Sequence, residues 1–169
     1  HMKRIFTLAA VICSFFIACN GNGQKGNGQD TDGSGSDGPE KEKKMSKRDF
    51  SVTPQNAYND IFMDSLDMEK FLVEKKIPDS LTRRIRSFYN ARNYQFAWFS
   101  SRGLTEQALA FWNIHDYETS AGDTSLKNKT LQAAMDDYVA DSSFAVNPKD
   151  RSKITTELTL TEHFIKYTL

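Results

Sequence analysis

Six large aromatic side chains crowd the stretch from Ile85 to Leu104, and a chain that carries them must find somewhere to bury them. They are Phe88, Tyr89, Tyr94, Phe96, Trp98 and Phe99, with Arg86, Arg92 and Arg102 interleaved. Each buried aromatic withdraws about 150 to 250 Å² from water, so the cluster alone can supply much of a small core. The spacing changes halfway along it. Leu81, Ile85, Phe88 and Tyr89 fall on one face of a helix. From Tyr94 the pattern becomes Tyr-x-Phe-x-Trp-Phe, which reads as an extended piece, and Ser101-Arg102-Gly103 reads as a turn. The stretch thus predicts a helix, an extended segment, a turn, and a new helix opening at Leu104-Thr105.

Elsewhere in the second two thirds of the chain the apolar spacing is helical. Thr53 is a natural cap and Pro54 a natural first residue for a helix carrying Tyr58, Ile61 and Phe62. Asp64 or Ser65 starts a second helix with Leu66, Phe71 and Leu72 inward, ending before Pro78. Asp79 or Ser80 caps the third, which leads into the aromatic cluster. Thr105 starts a fourth, with Ala108, Phe111, Trp112 and His115 on one stripe, broken by Gly122-Asp123. Ser125 starts a fifth, with Leu131, Ala134, Met135 and Tyr138 inward. Asn147-Pro148 is a turn, and a last helix runs from about Thr161 and is expected to continue past Leu169. The fold class is mainly α: a compact multi-helix scaffold with one short extended aromatic segment, preceded by a disordered tether.

The tether follows from the first 48 residues. Lys3-Arg4 leads into the uncharged run Ile5 to Ile17, too short to span a membrane and the size of a secretory signal's apolar region. Its end, Phe16-Ile17-Ala18-Cys19, resembles the cleavage box of a bacterial lipoprotein, with a small residue just before the Cys. Residues 1–18 are therefore the expected signal peptide and Cys19 the expected lipidated N-terminus. Residues 19–48 hold seven of the chain's 9 glycines among Asn, Gln, Ser and Asp. Such a segment cannot bury enough apolar surface to offset its ordering entropy. As a flexible coil its mean span is roughly 30 Å. Residues 49–169 form the expected helical domain, interrupted at its C-terminal end.

Charge narrows the function classes. The chain has 22 basic and 22 acidic residues, and removing Lys3 and Arg4 leaves 20 against 22. A near-neutral surface offers no footprint for nucleic acid. Cys13 lies in the signal and Cys19 takes the lipid, so no disulfide and no thiol nucleophile remain. No serine-nucleophile, phosphate-loop or metal-spacing motif is present, and no cofactor is called for. His115 and His163 each stand alone on aromatic-rich helices and read as core residues. Asp136-Asp137 and the Asp116/Glu118 pair read as solvated helix faces. Trp98 and Trp112 are assigned to the core, Trp98 as the keystone between the helices before and after it. The alternative for Trp98 is stacking on a sugar ring beside Arg92 and Tyr94.

The order Phe88-Tyr89-x-x-Arg92-x-Tyr94-x-x-x-Trp98-Phe99, then Gly103-Leu104 and a helix, resembles the non-catalytic scaffold domain of the large murein L,D-transpeptidases. Leu158-Thr159-Leu160-Thr161 through Tyr167 resembles that domain's Leu-Thr helix start. Together the motifs carry the resemblance over about residues 60 to 169. It implies a supporting, substrate-orienting role in peptidoglycan cross-linking, for which Arg92, Tyr94, Trp98 and Arg102 are the candidate contacts to glycan or partner. It also implies a Cys acyl-enzyme with a nearby His, and no Cys follows position 19. The catalytic domain of such an enzyme is therefore expected beyond Leu169. The expected setting is periplasm-facing and anchored by lipid, with the outer membrane favoured because Asn20, and not Asp, follows Cys19. The rival reading is a free-standing envelope lipoprotein that binds a protein partner.

Overall fold

Short polar side chains decide where most of the helices begin. A computed structural model of the chain describes residues 44–141 and 143–169. Residues 5–17, Cys19 and the glycine-rich segment to residue 43, with the signal, lipidation and tether expectations that fall on them, lie outside the described residues. Helix α1 spans Ser65–Glu74, and the Asp64 carboxylate accepts from the Leu66 N–H. Helix α2 spans Asp79–Asn90. A two-residue hairpin follows, with β1 (Phe99–Ser100) antiparallel to β2 (Gly103–Leu104) and Phe99 opposite Leu104. Helix α3 spans Glu106–Ala121 behind a Thr105 cap and stops at left-handed Gly122. Helix α4 spans Lys129–Ala140 behind Asn128, and α5 spans Arg151–Tyr167 behind Asp150. In each capped case a side-chain oxygen satisfies a backbone N–H that the first turn leaves free.

The architecture is mainly helical, as the spacing requires, but four expectations change. Thr53 to Phe62 forms turns and no helix. The Asn56 side chain accepts from the Thr53 N–H at 2.7 Å and donates to the Ser51 carbonyl at 2.8 Å, closing a local loop instead. Ile61 to Met63 then runs extended beside the aromatic segment, with an isolated bridge between Phe62 and Gln95. Pro78, without any side-chain cap, stands at the α2 cap position, and Asp79 is the first helical residue. Ser125 does not start α4; it donates to the Asp123 carboxylate at 2.6 Å, and the helix waits three more residues for its cap at Asn128. Helix α5 begins at Arg151, so Leu158 to Thr161 lies in its middle.

Leu66 also points outward at 64% exposure, while Met68 takes the buried place in α1. Of the inward residues expected in α4, Leu131 and Met135 are buried and Ala134 and Tyr138 half-buried. Met45–Leu169 fold as one unit. The N–H of Ser46 donates to Ser87 Oγ at 3.0 Å and Arg48 Nε to Asn93 Oδ1 at 2.6 Å, so residues read as tether already engage α2 and the turn after it. Helix α5 is the central post of the unit. It packs against α1, α2 and α4, and from Thr156 to Thr161 every residue is buried. Trp98, 2% exposed, bridges its neighbours at ring-centroid distances of 5.4 Å to Phe111 of α3 and 5.5 Å to Phe164 of α5.

Candidate functional site

The aromatic stretch reaches α5 because the chain reverses sharply after α2. Asn93 and Tyr94 both have positive φ, 51° and 64°. That region is tolerable for Asn and strained for a bulky residue. The strain is held by anchors on both residues: Asn93 Nδ2 donates to the Val52 carbonyl at 2.7 Å, and the Tyr94 N–H donates to the Tyr89 carbonyl at 2.9 Å. Beyond the reversal, Asn59 Nδ2 donates to the carbonyls of Phe96 and Phe99, and Thr105 Oγ1 donates to the Ala97 carbonyl at 3.0 Å. The extended segment is thereby fixed on one side by residues 59–63 and on the other by the cap of α3. Its remaining N–H groups, at Ala97 and Trp98, face α5.

They meet a carboxylate. Glu157 of α5 is 0% exposed and accepts from Ala97 N at 2.6 Å, from Trp98 N at 3.0 Å and from the Tyr89 hydroxyl at 2.9 Å. One turn on, Thr161 Oγ1 accepts from Trp98 Nε1 at 2.8 Å and lies 2.7 Å from the Tyr89 hydroxyl. Burial pushes the Glu157 carboxyl up to about 7, while the three hydrogen bonds and the nearby Arg92 guanidinium hold it down. Burial likewise raises the Tyr89 hydroxyl well above its usual value, with the Glu157 charge adding to it. A carboxyl displaced this far in an open cleft would be a candidate acid or base. Here no solvent or substrate can reach it, and its two oxygens are committed to the backbone. Glu157 therefore acts on the fold, by joining α2, the extended segment and α5 at one point.

The four residues singled out as contacts distribute around this point. Trp98 is enclosed, with its ring in the core and its Nε1 on Thr161, so it presents no face to a ligand. Tyr94, 7% exposed, stacks on Tyr89 at 6.4 Å and lies beneath the Arg48 guanidinium at 4.7 Å. Arg92 is half-buried with its guanidinium 4.0 Å above the Phe88 ring. Arg102 is exposed on the hairpin turn. The structure thus brings Arg92, Tyr94 and Trp98 together through the Glu157 node and leaves Arg102 apart on the surface.

Trp112, 6% exposed, is a core residue as expected. The two histidines do not stand alone: His115 Nε2 lies 3.0 Å from His163 Nδ1 inside the core. Asp136 is an exposed residue that accepts from Gln132 at 2.9 Å, a solvated helix-face contact. Among the described residues, no group of three or more His, Cys, Asp or Glu residues is placed to hold a metal ion, and no helix is long and apolar enough to cross a membrane.

Sequence reasoning missed Glu157, although a signal was present. It stands three residues after Ile154, four before Thr161 and seven before Phe164, on the apolar stripe of α5 and not on its polar side.

A family model described as Scaffold domain matches residues 83–169, just over half of the chain. No curated protein and no solved structure matches.

Proposed function

The chain belongs to the Scaffold domain family, and from that premise we propose that it is the non-catalytic, substrate-orienting scaffold of a murein L,D-transpeptidase-like lipoprotein. In this reading Cys19 carries the lipid and the residues between it and Met45 tether the domain to the outer membrane, facing the periplasm. The domain then works on peptidoglycan some distance from the anchor. Its own residues supply a rigid body beside which a Cys-bearing catalytic domain and a glycan strand are held in register. Arg102, exposed on the hairpin turn, is the candidate contact to an anionic stem-peptide carboxylate.

One observation supports this reading above the others. The two stretches that carry the resemblance, Phe88 to Phe99 and Leu158 to Tyr167, are distant in sequence yet share a single hydrogen-bonded centre at Glu157 and Thr161. Residues that brace each other in the core belong to a supporting body. The reading is tested by incubating the full chain with purified sacculi and, separately, with an immobilised L,D-transpeptidase catalytic domain. Retention by at least one is expected, and failure with both overturns it. A second reading, an envelope lipoprotein that binds a protein partner, draws on α1. Leu66 and Val73, one heptad apart, are 64% and 75% exposed there.

A further inference from the structure

The histidine pair has a protonation pattern that its geometry fixes. His115 and His163 are 1% and 5% exposed. His115 Nε2 lies 3.1 Å from the Leu126 carbonyl oxygen and 3.0 Å from His163 Nδ1. A carbonyl only accepts, so the hydrogen between His115 and Leu126 belongs to His115 Nε2. The same N–H faces His163 Nδ1, which must then be the bare, accepting nitrogen. His163 keeps its hydrogen on Nε2, and His115 keeps Nδ1 bare. That His115 Nδ1 is enclosed and has no hydrogen-bond partner among the described residues. The ring it belongs to is stacked on Trp112, with centroids 4.6 Å apart and 15° between planes.

We infer that His115 and His163 form a buried one-proton site that latches α5 to α3 and to the loop carrying Leu126. A first proton enters at His115 Nδ1, and every hydrogen bond of the pair survives it. The imidazolium so formed lies on the face of an indole, which attracts cations. A second proton must enter at His163 Nδ1, where it meets the His115 Nε2–H head-on and breaks the contact. The surrounding charges favour the same order. Asp116 on α3 and Asp123 in the loop both favour a cation on His115, whereas Lys166 on α5 opposes one on His163. Burial holds both rings below their usual value, and His163, which also feels His115, falls to about 4. The stability that a depressed base provides is present above its ordinary value and lost as pH falls through the folded one. Acid therefore opens the latch at its second proton.

Long-range proton–nitrogen correlation spectra of the imidazoles, taken on the full chain from pH 8 to pH 3.5, test this. At pH 8 both buried rings are expected as Nε2–H tautomers. On acidification His115 is expected to gain its Nδ1 proton first and His163 to stay neutral until about pH 4. Loss of amide-exchange protection at Leu126 is expected to accompany the His163 step, with α2 amides still protected. In His163→Asn, whose Oδ1 stands where Nδ1 does and can accept from His115 but cannot titrate, His115 still gains its proton and the Leu126 step disappears. Three outcomes overturn the inference: an Nδ1–H tautomer at His163, independent titration of the two rings near the ordinary histidine value, or loss of Leu126 protection together with the His115 step. The wild-type measurements stand even if the variant does not fold.

Discussion

A carboxylate without solvent, such as Glu157, is stabilised only by the groups that point at it. Two backbone N–H groups and one hydroxyl do so here, each at 2.6 to 3.0 Å. Glutamine offers one carbonyl oxygen where the carboxylate offers two, and it turns an NH₂ toward a backbone N–H. Glu157→Gln should therefore cost about 1–3 kcal/mol in chemical denaturation. The sign of its pH dependence follows from burial. The folded carboxyl is raised from 4.5 to about 7, so the stabilisation it provides is full below 4.5 and is lost as pH rises through 7. Glutamine does not titrate. The gap between wild type and variant should narrow from pH 4.5 to 7, and a gap that widens would mean that the hydrogen bonds outweigh burial. In the sequence Glu157 is one acid among the threonines at 155, 156, 159 and 161. What set its role was the backbone of Ala97 and Trp98, which no side-chain pattern displays. Trp98 and Trp112 were legible because a large ring has few places to go but the core.

At the scale of elements, α3 was fully legible because cap, apolar stripe and stop signal agree. Thr105, the Ala108/Phe111/Trp112/His115 face and Gly122 all stand where the spacing requires. Gly122 ends the helix at φ 116°, and an added Cβ there would meet nothing within 4 Å. Gly122→Ala should accordingly lose about 1 kcal/mol through backbone strain alone, read as a lowered Tm. An unchanged Tm would contradict that account of the stop. Helix α5 was legible only at its C-terminal end. Thr is a weak helix former, yet Thr156, Thr159 and Thr161 donate to the carbonyls of Ser152, Thr155 and Glu157 at 3.0, 2.7 and 3.1 Å. Their hydroxyls are satisfied within the helix, and tertiary burial along its length overrides propensity. The expected Thr53 helix failed for the opposite reason: Asn56 satisfied the local backbone before any apolar face found a partner.

The unit from Met45 to Leu169 is a set of helices pinned to one post. Buried polar contacts hold the post to α2, to the extended segment and to α3, and surface pairs add little. Arg86 ties α2 to α1 through a bidentate contact to Glu69, and Arg151 ties α5 to α1 through one nitrogen shared between the two Glu74 oxygens, each worth roughly 0–1 kcal/mol at such exposure. The fold class was readable from the sequence because helical spacing dominates it. The centre was not, because it joins residues 89, 98, 157 and 161 across long separations. A rigid body braced in this way suits the scaffold role proposed above, and that role can be measured in cells. Residues 83–169 would be deleted in frame from the natural coding sequence, and the peptidoglycan digested and separated into muropeptides. The account predicts a clear fall in L,D cross-links, restored by the intact gene. Unchanged L,D cross-linking would contradict it and favour a lipoprotein that serves a protein partner instead.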